Sequence, residues 1–72
     1  MHDKLVNIIC ETFNISPDQA PFISYGDQEW DSLAHMDLIT AVEEAFDIEL
    51  DEDQMLQITS LNNLLKLVQA IV

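Results

Sequence analysis

Apolar residues recur along this chain at helical spacing, and the pattern predicts three main helices and one short one. From about His2 to Phe13, Leu5, Val6, Ile9 and Phe13 form a stripe opposite Asp3, Asn7 and Glu11. Such an arrangement turns one helix face to a core and the other to water. Ser16-Pro17 is a capping residue followed by proline at a first helical position, so one short turn is expected there, ended by Pro21. The stretch from Pro21 to Trp30, with the lone Gly26, reads as a loop. The second helix is expected to start at Asp31, a favoured cap, with Trp30 packing back onto its first turn, and to run to about Phe46. At 100° per residue, Leu38, Ile39, Val42 and Phe46 share its core side. An acidic connection from Asp47 to Asp53 leads into a short helix around Glu52 to Leu56. Thr59 or Ser60 then caps a last helix, in which Leu61, Leu64, Leu65, Val68 and Ile71 oppose Asn62, Asn63, Lys66 and Gln69. No segment alternates like a strand. The expected fold is all-α: a small antiparallel helical bundle with a long loop between its first and second helices.

Length and charge narrow the function. With 72 residues, of which 49% are hydrophobic, the chain supports one domain with a core and little more. A substrate cleft walled by catalytic loops has no room, so an independent enzyme is not expected. Two basic residues, Lys4 and Lys66, face fourteen acidic ones, for a net charge of −12. Nucleic acid and anionic membranes both require Lys or Arg contacts and would repel such a surface. A basic protein partner would be attracted. Cys10, the single cysteine, permits neither an intramolecular disulfide nor a cysteine-rich metal site, and it lies at the edge of the first apolar stripe. The chain shows no secretory signal pattern and no apolar run long enough to span a bilayer, which makes the cytosol the expected compartment.

One short constellation carries more specific chemistry. Asp31-Ser32-Leu33 opens the second helix, Ile39-Thr40-Ala41-Val42-Glu43-Glu44-Ala45-Phe46 follows, and Ile58-Thr59-Ser60-Leu61 comes after that. In this register, from Asp31 to about Val68, the chain resembles an acyl carrier protein. Asp-Ser-Leu alone is a weak motif; at the start of an amphipathic helix, with the rest aligned behind it, it is a strong one. The resemblance implies that Ser32 receives 4′-phosphopantetheine from coenzyme A through a phosphopantetheinyl transferase. It also implies that Asp31 helps to position magnesium or the transferase. Acyl groups would then ride as thioesters on the arm. Independently of the resemblance, a serine at an exposed helix start is accessible, and the free N–H groups there suit a phosphate.

The remaining face of the second helix gives the acidity a purpose. Leu33, Met36, Asp37, Thr40, Glu43, Glu44 and Asp47 fall within an arc of about 120° on a helix of 3.6 residues per turn. By resemblance this is the surface docked by basic patches of acyl-loading and acyl-transfer enzymes, with the carrier working as a monomer. Gln28-Glu29-Trp30 replaces the glycine that the commonest fatty-acid carriers have before the motif. Asp51 stands where they often have proline, and Ala34 where they have an acid. Tryptophan before the motif is similar to specialised stand-alone carriers, which points to specialised fatty-acid, polyketide or related synthesis.

Three other readings compete with this one. His35, one turn after Ser32, invites a hydrolase pair, yet no third orienting group is legible, and a partly exposed first-turn histidine is the plainer expectation. An EF-hand starting at Asp47 would need glycine at Glu52 and glutamate at Ile58, and one starting at Asp27 would need glycine at Ser32 and glutamate at Leu38. Both fail. The third is a carrier-fold interaction module that acts through its acidic helix without an arm.

Overall fold

The computed structural model describes residues 2–71. Their order is α1 (His2–Phe13), a 3₁₀ turn (Ala20–Phe22), α2 (Ser32–Phe46), α3 (Glu52–Gln57) and α4 (Leu61–Ile71). No strand forms among the described residues; a single antiparallel bridge joins Ser24 to Ser60. This is the expected all-α bundle of three longer helices and one short one.

The apolar stripes meet where the sequence places them. Leu5 and Ile9 of α1, Leu38, Ile39 and Val42 of α2, and Leu64 and Val68 of α4 are almost completely removed from water. At about 25 cal/mol per Å² of apolar surface, their burial is the main force holding the helices together. Contacts at both ends show that α1 and α2 run antiparallel. Lys4, near the start of α1, donates from Nζ to the Ala45 carbonyl at 2.9 Å and lies 4.9 Å from the centre of the Phe46 ring. At the opposite end Phe13 packs on Trp30, with ring centroids 4.9 Å apart. One of the two lysines thus neutralises the negative end of α2.

Local chemistry sets the helix boundaries. The Asp31 side chain accepts from the Ala34 N–H at 2.9 Å and so caps α2. At its other end Asp47 turns left-handed (φ 54°), and the Ile48 N–H reaches back to the Glu43 carbonyl. Asp51 and Gln54 form a reciprocal capping box that starts α3. Ser60 caps α4 through the Asn63 N–H.

The expected turn does start at Ser16-Pro17, where the Gln19 N–H bonds the Ser16 carbonyl and the Ala20 N–H the Pro17 carbonyl, but its details differ. Ser16 does not cap a helix; its N–H and its hydroxyl both donate to the Gln19 side-chain oxygen. Nor does Pro21 end a turn. It lies inside the 3₁₀ turn, at a first-turn position where a missing N–H costs nothing. The loop beyond is well tied. Asp27 accepts the Ser24 N–H, and the Gly26 N–H bonds the Trp30 carbonyl. Gly26 has φ 101°, which a side-chain-bearing residue rarely adopts. The Tyr25 N–H reaches the Thr59 carbonyl at 2.9 Å and pins the loop to the connection before α4.

The candidate site at the start of the second helix

Ser32 is the first residue of α2 and is exposed. Because Asp31 uses its side chain on Ala34 and its carbonyl on the His35 N–H, the N–H groups of Ser32 and Leu33 meet no acceptor among the described residues. The positive end of a 15-residue helix therefore opens beside the serine hydroxyl. Ser32 Oγ lies 3.2 Å from the hydroxyl of Tyr25, which the loop delivers across the helix end. Tyr25 was not singled out from the sequence. Its only signal is being the one tyrosine, next to the glycine of a turn.

Behind Ser32 the structure builds a hydrogen-bonded chain that the periodicity could not reveal. Trp30 is fully buried, and its Nε1–H donates to His35 Nδ1 at 3.0 Å. His35 Nε2 lies 3.1 Å from the Met55 carbonyl. An indole N–H can only donate and a carbonyl can only accept, so these partners assign the proton to Nε2. His35 is the partly exposed first-turn histidine expected, with both of its ring nitrogens engaged. The Ser32–His35 pair is not formed: the serine has Tyr25 as its partner, and the imidazole has no lone pair left to take its proton. The Tyr25 ring meets the His35 ring edge-on, with centroids 4.9 Å apart.

On the acidic face, Leu33 and Met36 are 79% and 55% exposed, a notable area for two apolar side chains beside a candidate site. Asp37, Thr40, Glu44 and Asp47 are also exposed, while the Thr40 hydroxyl donates to the Met36 carbonyl. Glu43 differs from the rest. It is half-buried, and its carboxylate accepts the Leu50 N–H at 2.9 Å, bracing the connection to α3. Leu56, 71% exposed on α3, adds an apolar residue that the sequence reading did not place near the site. Among the described residues, no group of three or more His, Cys, Asp or Glu side chains is gathered to hold a metal ion, and no helix is long and apolar enough to cross a membrane.

Residues 3–68 match the family described as "Phosphopantetheine attachment site". The chain is 32% identical over 73 residues to a protein named acyl carrier protein from Sulfurovum sp. (strain NBC37-1), covering 96% of this chain and 95% of that one. A phosphopantetheine group fits the residues present. The hydroxyl that would bear it is exposed, the two unpaired N–H groups of α2 suit its phosphate, and the Tyr25 hydroxyl is within reach of the same oxygen.

Proposed function

The chain belongs to the acyl carrier protein family, and from that membership we propose that Ser32 is the residue bearing its 4′-phosphopantetheine. Members of the family carry this group covalently. When bound, it supplies a thiol on a flexible arm, to which acyl groups attach as thioesters. The supporting observation is the exposed Ser32 hydroxyl at an open helix N-terminus, inside the matched segment. In the attachment step Ser32 Oγ forms a bond to the phosphorus nearer the pantetheine in coenzyme A. The bond from that phosphorus to the rest of the pyrophosphate breaks, and adenosine bisphosphate leaves. The serine proton goes to a base on the transferase or to water. Asp31 contributes by holding the first turn, and by offering an oxygen not used in the cap to the transferase or its magnesium.

The whole of residues 1–72 then serves as one carrier domain, working as a monomer in the cytosol. Leu33, Met36, Asp37, Thr40, Glu44 and Asp47 are its docking face for basic patches on loading and transfer enzymes, with Glu43 bracing that face from one edge. The carrier holds and presents cargo for a specialised fatty-acid, polyketide or related synthesis, and the bond-making is done by its partners. Incubation with coenzyme A and a broad-specificity transferase, followed by intact mass measurement, tests the reading. One added phosphopantetheine is expected, and none in Ser32→Ala. An unchanged mass for both would instead favour an interaction module working through α2 alone.

A further inference from the structure

Beside Ser32 lies a cleft of about 110 Å³ lined by Tyr25, His35, Leu56, Ile58 and Thr59. It is smaller than the roughly 150 Å³ apolar cavity known to hold one benzene. Two of its walls are braced from outside. Tyr25 is held by its N–H on the Thr59 carbonyl, and His35 ties α2 to α3 through the Met55 carbonyl. Its lining reaches the core at Ile58, and His35 is bonded from within by the fully buried Trp30. A longer acyl chain entering beside His35 would have to part α2 from α3 where the His35–Met55 bond joins them. That would break the His35–Met55 bond, and it would disturb the indole N–H that depends on the same imidazole. A buried donor left without an acceptor is costly, and linked bonds of this kind resist being broken singly.

We propose that the Trp30–His35–Met55 chain acts as a latch that closes the seam between α2 and α3, so that this carrier selects compact acyl groups. Their first few atoms occupy the cleft under Tyr25, and longer chains stay outside the core. The proposal rests on Ser32 bearing the arm. His35 and Trp30 are positioning residues here: they set the depth of the cleft and take no part in forming the thioester.

The test loads the protein with acetyl-phosphopantetheine or octanoyl-phosphopantetheine from the matching acyl-coenzyme A, with loading checked by intact mass. Amide shifts are then recorded, together with the rate at which hydroxylamine cleaves the thioester. In the native sequence both cargoes should shift Tyr25, Leu56 and Thr59 and leave Val42 and Leu64 unmoved. The octanoyl thioester should be cleaved as fast as octanoyl-pantetheine free in solution. His35→Leu, which removes the strap and keeps an apolar side chain in its place, should gain octanoyl-dependent shifts at Val42 and Leu64 and slower cleavage. Octanoyl shifts at Val42 and Leu64 in the native sequence would overturn the latch, whether or not the variant folds. A folded His35→Leu that behaves like the native protein would do so as well. A chain that takes no arm at Ser32 overturns the attachment reading along with the latch, whereas a loaded chain that buries octanoyl overturns the latch alone.

Discussion

Asp31 shows how much a single side chain can be asked to do at a helix start. Its carboxylate caps α2 by accepting the Ala34 N–H, and the proposed attachment step gives the same group a second role through its charge. Two substitutions separate these roles. Asp31→Ala should lose about 1 kcal/mol of stability, the usual value of a cap, and also slow modification. Asp31→Asn still caps, so thermal unfolding should be little changed while modification by the transferase remains slow. Normal loading of the asparagine variant would remove the second role. Trp30 marks a limit of sequence reading at this scale. Adjacency suggested that it packs on the first turn of α2, and it does so by bonding to and stacking on His35, while its ring is also buried against Phe13. The Phe13 contact does not follow from periodicity, because a 3₁₀ turn and a loop separate the two residues, and a histidine's hydrogen bonds have no sequence signature.

At the level of elements, the end of α2 carries an avoidable strain. Asp47 adopts φ 54° without being glycine and puts a negative charge at the negative end of the helix dipole. Asp47→Gly removes both and should raise stability by about 0.5–1 kcal/mol, read as an increase in Tm. A fall in Tm would mean that the aspartate makes a contact outweighing both effects. The helices themselves were legible because each buries a stripe whose spacing is written in its own residues: Leu5 and Ile9, Leu38 and Val42, Leu64 and Val68. The cap at Asp31 was legible for the same local reason, and that of α4 was narrowed to Thr59 or Ser60, of which the structure uses Ser60. The first connection was less so. Ser16-Pro17 has the composition of a helix start, but Gln19 supplies the acceptor that the serine N–H and hydroxyl use instead. Tyr25 reaches Ser32 only because the loop is pinned to Thr59, a contact across the molecule.

The whole molecule is a compact bundle, with a radius of gyration of 10.8 Å against about 11 Å expected for a folded chain of this length. Its net charge of −12 surrounds a core with no unpaired buried polar side chain among the described residues. Long-range attraction should therefore govern its encounters more than its folding. Glu44→Lys or Asp37→Lys should reduce the rate of loading by a transferase with a basic docking patch, most strongly at low salt, without loss of helicity by circular dichroism. Equal rates for native and reversed proteins at low ionic strength would remove α2 as the docking face. Attachment at Ser32 concerns a single oxygen atom, and one measurement reaches it directly. Protein isolated from its native host is digested, and the peptide spanning Ser32 is fragmented in the mass spectrometer. A phosphopantetheine group, with or without cargo, is expected on Ser32. The same group on Ser24, Tyr25 or another hydroxyl, or a Ser32 peptide that is always unmodified, would contradict this attachment.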